Sequence, residues 1–222
     1  WNGAPILYAD GVAVAENGTV YFSDASSKFG AEAYGGTYAA SLLDIMEHGG
    51  NGRIFAYDTA RRELSLLMDG LNFANGVAVS EDQRFLLVSE TGSYRILRHW
   101  LDGPRAGQHD VIVDNLPGFP DNINNGLNGR FWIGLVAPRS APLDRLSNRP
   151  WLRKLVQRLP QSMRPSAKPS SHVIAINGYG NVLMNLRDPS AGLPAVTGAI
   201  ETGDALWLSS LFGPYVGQLD KE

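Results

Sequence analysis

The sequence predicts an all-β protein of the β-propeller class, and three observations indicate this. A phrase with the pattern of a β-hairpin occurs four times: a polar residue or pair, a short alternating apolar run, a turn and a second apolar run. Further hairpins lie between the copies, so each unit holds about four antiparallel strands, as a propeller blade does. Turn-forming residues are also frequent, with 25 Gly and 13 Pro among the 222 residues.

The four copies of the phrase set the spacing of the predicted blades. They are Asp10–Asp24, Asn75–Glu90, Asp121–Gly134 and Thr197–Ser209. Their starts lie 65, 46 and 76 positions apart, and the shortest spacing fits the roughly 40–50 residues of a four-stranded blade. The two longer spacings contain insertions, near residues 26–50 and 138–170.

The hairpins between the copies supply the outer strands of each predicted blade. They are Ile54–Tyr57 with Leu64–Met68, Tyr94–Leu101 with Val111–Val113, and Val173–Ile176 with Val182–Leu186, and Tyr215–Leu219 would be a third strand of the last unit. We therefore predict a single partial propeller domain with units at about 1–71, 72–116 and 117–190, an incomplete unit at 191–222, and an inserted segment at 138–170.

Composition excludes several classes of function. The net charge of −3 and the lack of aromatic residues clustered among bases argue against a nucleic-acid partner. The absence of Cys excludes disulfides and thiolate metal sites. No apolar run approaches the roughly 20 residues of a membrane-spanning helix. None of these features predicts the cellular compartment.

The segment from Arg139 to Lys168 stands apart in charge. It holds eight basic residues and one acidic residue, a net charge of +7, so the rest of the chain carries −10. Apolar residues recur at helical spacing within it, namely Leu146, Trp151, Leu152, Leu155, Val156 and Leu159. We expect a short helix near Pro150–Leu159 with Trp151 and Leu155 on its buried side. It would form a lid with a solvated basic face, or residues 145–168 would contact a membrane surface.

Few residues suggest chemistry. The four His form no zinc-binding pair, and there is no nucleophile elbow and no phosphate-binding glycine motif. What remains is the polar start of the repeated phrase, at Asp10, Asn75, Asp121 and Asn122. If the copies surround an axis, these carboxylate and amide oxygens converge, and Ca²⁺ prefers such ligands. Alternatively, Asp and Asn at these positions only cap the turns that precede the strands.

Several runs of the sequence resemble the strictosidine synthase-like family, which also includes the adipocyte plasma membrane-associated proteins. The runs are VYFSDASSKF, NGRIFAYDTARRELSLLMDGLNFANGVAVS, FLLVSETGSYRILRHWLDGPRAG and VIVDNLPGFPDNI, and the resemblance extends from about Leu7 to Leu219. It implies a six-bladed propeller of which this chain, as a fragment, holds about four blades. The ring would then be closed by further blades or by a second copy.

The wider superfamily contains the paraoxonases and the gluconolactonase/regucalcin group, so the resemblance implies a divalent cation, Ca²⁺ first, in the central channel. Asn75 of FANG and Asp121 of FPDN match metal-binding positions, and Asn122 matches the Asn that accompanies this Asp in paraoxonases. Relatives often carry Asn-Asp where this chain has Ala9-Asp10, so the chain departs from their pattern here, and Asp10 could serve as a ligand nearby. A fourth ligand, a Glu of the first blade, is expected outside this chain.

These matches predict a Ca²⁺-dependent hydrolase of small esters or lactones, of the lactonase or arylesterase type. Asp121 would be both ligand and general base, and Phe73, Phe119 and Phe212 are candidate substrate walls that would suit the core equally well. The condensation for which the family is named is not expected, because Thr197 stands at the position of its catalytic Glu and cannot act as a base at neutral pH. The alternative function is a non-catalytic binding or receptor propeller with a structural ion.

Overall fold

The computed structural model describes residues 1–146, 149–158 and 169–221. Its first blade contains β1 (Ala9–Val14), β2 (Val20–Asp24), β3 (Gly52–Asp58) and β4 (Glu63–Leu71), with α1 (Thr37–Glu47) between β2 and β3. The second blade contains β5 (Ala74–Val79), β6 (Phe85–Glu90), β7 (Arg95–Trp100) and β8 (His109–Val113), with a 3₁₀ turn at Thr91–Ser93.

The second half of the chain continues in the same way. The third blade contains β9 (Gly118–Asn125), β10 (Arg130–Pro138), β11 (Ser171–Asn177) and β12 (Val182–Asp188), with α2 (Ala141–Arg145) and α3 (Pro150–Gln157) between β10 and β11. The fourth contains β13 (Val196–Glu201), β14 (Ala205–Ser210) and β15 (Gly217–Asp220). Sequential strands pair antiparallel within every sheet, so the predicted all-β propeller architecture is confirmed.

The first strand of each blade is its innermost strand. β1 contacts β5, β5 contacts β9, and β9 contacts β13, so the four copies of the repeated phrase lie side by side around one channel. Glycines permit this approach. A Cβ atom on Gly76 would stand 2.3 Å from the Ile123 backbone nitrogen, and one on Gly134 would stand 2.2 Å from the Thr197 carbonyl carbon. The inner strands therefore pack backbone against backbone.

The hydrophobic core lies between the blades. Leu86 and Val88 of the second blade pack with Ile54 of the first, and Leu87 of the second packs with Ile133 of the third. A smaller cluster joins the third blade to the fourth. Both faces of an inner blade are thus buried, and each fully buried Leu or Ile side chain stabilises the array by about 1.5–3 kcal/mol.

The first blade has an uncovered apolar face. Val12 and Val14 of β1 are 63% and 65% exposed, whereas Val77 and Val79 of β5 are 4% and 5% exposed. These residues belong to the same phrase, GVAV, in the first and second copies. The difference arises because the first blade covers this face of the second blade, while no described residue covers the corresponding face of the first.

The inserted segment contains the helix α3, but its orientation corrects our expectation. Trp151 and Leu155 were expected on the buried side, and they are 66% and 55% exposed. The buried residue is Arg153, whose guanidinium donates hydrogen bonds to the backbone carbonyls of Leu143 at 2.9 Å and Ile45 at 3.4 Å. Those carbonyls need donors that an apolar side chain cannot supply, so the helix turns its arginine inward. Leu159 lies outside the described residues.

The helices remain short. Among residues 1–146, 149–158 and 169–221, no helix is long and apolar enough to cross a membrane.

Candidate metal and substrate site

Each innermost strand has a β-bulge at its polar start. On β5, Asn75 and Gly76 together oppose the single residue Ser89. On β9, Asp121 and Asn122 together oppose Gly134. The register shifts at the same place on β1 and β13, and the residues that oppose the four bulges are all small: Ser23, Ser89, Gly134 and Ser209. A bulge redirects the side chain of its extra residue, which here brings polar groups to the channel.

The bulges open into one cavity of about 960 Å³. Asp10, Asn75, Asp121 and Asn122 all line it, and so do Phe73, Phe119, Phe212 and Thr197. The structure therefore brings every residue predicted for the metal and substrate sites to the same space.

The floor of the cavity has an unsatisfied acceptor. Asn75 is 5% exposed, and its buried amide oxygen has no hydrogen-bond partner among the described residues. An unpaired buried acceptor of this kind is uncommon and destabilising. A cation or a water molecule at this point would satisfy it.

Two carboxyl groups share the floor with Asn75. Burial raises the pKa of Asp121 to about 7, the negative charge of Asp10 adds to the increase, and a hydrogen bond with Asn75 partly offsets it. Burial also raises the pKa of Asp10 to about 6. The Asp10 side chain is exposed where it lines the cavity. Its pKa is therefore raised by the protein that surrounds the cavity and not by atoms packed directly against the carboxyl group. Two neighbouring carboxyl groups with raised pKa values are costly to ionise together. A bound cation would stabilise both negative charges, so the pair favours a cation at this point.

Hydrogen bonds fix the bulges in place. The Gly11 amide donates to the Ser23 hydroxyl at 2.8 Å, and the Thr91 hydroxyl donates to the Pro120 carbonyl at 2.6 Å, immediately before Asp121. Further anchors hold the chain that enters β1 and β5. The Asp24 carboxylate accepts the Tyr8 amide, just as the Glu90 carboxylate accepts an amide two residues before β5. The floor is therefore held by hydrogen bonds between side chains and the backbone, and these do not depend on a ligand.

The residues present fit a hard divalent cation. They offer two carboxylates and two amide oxygens, and these are ligand types that Ca²⁺ accepts in irregular geometry. No group of three or more His, Cys, Asp and Glu side chains suited to a metal occurs in the described part of the chain. A site here therefore depends on the amides of Asn75 and Asn122 as well as on Asp10 and Asp121.

The wall and mouth of the cavity contain residues that the sequence did not single out. Tyr8 lines the wall and donates its hydroxyl to the Thr37 carbonyl at 2.9 Å. Tyr38 of α1 contacts Phe212 of the fourth blade edge to face, with ring centroids 5.3 Å apart. Arg139 and Arg187 add positive charge to the lining. Tyr8 stands two residues before the polar start of its copy, as Phe73 and Phe119 do, so the repeat carried a signal for it. Tyr38, Arg139 and Arg187 lie in insertions or an outer strand, and the repeat carried no signal for them.

Thr197, at the position of the family's condensation catalyst, and Glu201, the nearest acidic residue in sequence, lie apart in the structure. Thr197 lies at the β13 bulge and shares a 2.8 Å hydrogen bond with the Ser209 hydroxyl. Glu201 lies at the far end of β13, where it forms ion pairs with Arg130 and Lys221. Although burial opposes it, hydrogen bonds from Trp132 and Lys221 lower the pKa of Glu201 to about 2. Glu201 is thus a structural carboxylate remote from the cavity.

The chain is similar in sequence to strictosidine synthase-like proteins. The family model described as Strictosidine synthase matches residues 10–104. The chain is 34% identical over 226 residues to the protein Strictosidine Synthase-Like 10 of Arabidopsis thaliana, covering 98% of this chain and 58% of that protein. It is 36% identical over 226 residues to the adipocyte plasma membrane-associated protein of Salmo salar, covering 98% and 53% respectively. The chain spans about half the length of these curated relatives.

The fold is also similar to solved structures. A gluconolactonase from Xanthomonas campestris superposes with a TM-score of 0.64 at 15% identity, covering 99% of this chain and 59% of that one. The calcium-binding protein regucalcin from Agrobacterium tumefaciens superposes with a TM-score of 0.56 at 13% identity, covering 93% and 55%. At these identities the similarity concerns the fold alone.

Proposed function

Because the chain belongs to the strictosidine synthase-like family, we propose that its channel site is the catalytic centre of a divalent-cation-dependent hydrolase of esters or lactones. The single observation that supports this most is the convergence of Asp10, Asn75 and Asp121 on one cavity, where the Asn75 oxygen lacks a partner among the described residues. Two carboxyl groups and an unpaired buried amide oxygen at one point would destabilise a purely structural region.

Asp10, Asn75, Asp121 and Asn122 would hold the cation, and Ca²⁺ is the ion that such an all-oxygen set suits best. When bound, the ion supplies Lewis-acid polarisation of the substrate carbonyl. Asn75 and Asn122 contribute neutral oxygens, so the site would carry the two negative charges of Asp10 and Asp121 against the two positive charges of the ion.

Asp121 is the proposed general base. Its carboxylate accepts a proton from the attacking water and returns it to the leaving alkoxide as the ester bond breaks. Burial and the neighbouring Asp10 raise the pKa of Asp121 to about 7, close to the pH at which a general base is most effective. A bound cation would lower this pKa, so ligation and proton transfer compete for the same carboxylate.

The rest of the cavity suits a small substrate with apolar parts. Its volume of about 960 Å³ lies in the range of roughly 300–1,000 Å³ that is typical of ligand sites. Phe73, Phe119 and Phe212 are among the apolar residues that line the cavity. Thr197, held by Ser209, offers no base for a carbon–carbon condensation, so the hydrolytic reaction fits the lining better.

The test is a panel of aryl esters and lactones, assayed with Ca²⁺ and with a chelator. It should use the 222-residue chain and, if the gene encodes more, its complete product. We expect turnover that the chelator abolishes. Asp121→Asn removes the charge and the base but keeps the shape, and it should reduce kcat by at least about 10²-fold. Asp69→Asn, an isosteric change at an exposed position of β4, is the matched control and should leave kcat unchanged.

A second variant separates ligation from catalysis. Asn75→Ala removes one neutral ligand, so it should weaken Ca²⁺ binding while excess Ca²⁺ partly restores turnover. Thr197→Glu should not improve hydrolysis. If Ca²⁺ raises the thermal stability of the protein but nothing in the panel is turned over, the alternative of a non-catalytic binding propeller with a structural ion replaces the hydrolase. Turnover that is indifferent to the chelator would contradict the role of the ion.

A further inference from the structure

One face of α3 is exposed, apolar and flanked by positive charge. We call it the α3 face and define it by Trp151, Leu155 and Arg158. Trp151 is 66% exposed and Leu155 is 55% exposed, and Arg158 is exposed as well. Spacings of four and three residues place the three side chains in one stripe along the helix. Exposed Trp and Leu side by side commonly mark an interaction site.

The orientation of this face is fixed by the opposite side of the helix. Arg153 is 4% exposed, and its guanidinium is held by the carbonyls of Leu143 and Ile45. Turning α3 to bury Trp151 would break both hydrogen bonds and bring Arg153 to the surface. The exposure of the apolar stripe is therefore built into the packing.

The charge around the face selects the partner. Arg145, Arg149 and Arg158 are all exposed, and residues 139–168 carry +7 while the rest of the chain carries −10. An amphipathic helix with Trp and Leu on one side and arginines beside them suits the interface of an anionic bilayer, where the apolar residues enter the headgroup region. We propose that the α3 face docks the protein on anionic lipid membranes.

Docking through this face would leave the cavity on the side of α3 that faces away from the bilayer. The two residues whose carbonyls hold Arg153, Leu143 and Ile45, both line the cavity. The helix α3 would therefore lie between the bilayer and this part of the cavity wall. This docking does not depend on the proposed hydrolysis, and each can fail without the other.

The experiment measures binding to vesicles of phosphatidylcholine with phosphatidylserine, and to vesicles of phosphatidylcholine alone, by co-sedimentation at low and high salt. We expect binding to the anionic vesicles that decreases with salt and little binding to the neutral ones. Arg149→Glu with Arg158→Glu should weaken binding at least about tenfold, because each lost cation and each added anion reduces the attraction. Trp151→Ser with Leu155→Ser should weaken it by a similar factor through lost apolar insertion.

Matched controls lie at the opposite end of the blades. Arg61→Glu with Arg62→Glu changes the net charge equally in the exposed β3–β4 turn, and Tyr179→Ser removes an aromatic residue that is 83% exposed in the β11–β12 turn. Both should bind vesicles like the unmodified protein. The proposal is overturned if the unmodified protein ignores anionic vesicles at low salt, or if the controls lose binding as much as the α3 variants do. It is equally overturned if light scattering shows that the unmodified protein is a dimer and the α3 variants are monomers, since the α3 face would then join two copies.

Discussion

The close contact between the second and third blades predicts that Gly76→Ala destabilises the protein. A Cβ atom at this position would stand 2.3 Å from the Ile123 nitrogen and 2.7 Å from the Asn122 Cα. Ordinary van der Waals contact begins at 3.4 Å, so β5 and β9 must separate by about 1 Å. A gap of that size forfeits roughly a quarter to a half of the dispersion attraction of the atoms that line it.

The stability cost follows from this separation. Forcing an extra methyl group into a packed interior typically costs about 1–3 kcal/mol. For a chain of about this length, each kcal/mol lowers Tm by roughly 2–4 °C, so Gly76→Ala should lower Tm by roughly 2–12 °C. The assay is thermal and urea unfolding of the variant beside the unmodified protein. Because Asn75 and Asn122 flank the contact, Ca²⁺ affinity measured by calorimetry should fall as well.

Gly203→Ala is the matched control. A Cβ atom there meets nothing within 4 Å, and this change should alter stability by no more than about 0.5 kcal/mol. If Gly76→Ala unfolds like the Gly203 variant, the inner strands have room for a side chain, and the backbone packing described for the channel is wrong. If it loses stability but keeps full Ca²⁺ affinity, the contact does not position the ligands.

Three further predictions concern charge and the ion. Burial raises the pKa of Asp10 to about 6 and of Asp121 to about 7, so the folded protein holds protons that the unfolded chain releases, and cation-free stability should fall as pH rises from about 4 to about 7. Ca²⁺ bound at the proposed site would compete with those protons, so the Ca²⁺-induced rise in Tm should be larger at pH 8 than at pH 5, and an equal rise at both would contradict the site. Glu201→Gln removes a carboxylate whose pKa is lowered to about 2 and should cost about 1.5–3 kcal/mol at pH 7. A lowered pKa stabilises the folded state above about pH 4.5, and this stabilisation is lost as pH falls towards 2. The difference in unfolding free energy between Glu201→Gln and the unmodified protein, measured by urea unfolding, should therefore shrink as pH falls. A constant difference would refute the ion-pair account.

Much of the fold could be predicted because the residues of the repeated phrase specify strands and turns locally. Alternating apolar residues, turn glycines and the spacing of the copies all belong to short segments, so they appear in the sequence without knowledge of their neighbours. The polar starts at Asn75 and Asp121 could be placed at the channel for the same reason, since each lies in the first half of an innermost strand. The bulges could not be predicted, because each depends on the small residue that pairs with it from the next strand, such as Ser89 or Gly134.

The α3 helix shows where sequence periodicity failed. Its apolar residues indicated a helix near Pro150, and a helix is present, but the pattern did not give its rotation. Hydrophobicity favoured Trp151 and Leu155 as the inner side, whereas the backbone carbonyls of Leu143 in α2 and of Ile45 in α1 bind Arg153 instead. Such carbonyls leave no trace in the local sequence.

The sequence by itself determined the strands, the turns and the polar residues in the first half of each inner strand, because these follow from the properties of short segments. The tertiary structure alone decided which of those segments are buried. The GVAV run occurs in the first copy and again in the second, yet Val12 is 63% exposed and Val77 is 4% exposed. The two valines have the same neighbours in sequence, and they differ only in whether another blade packs against them.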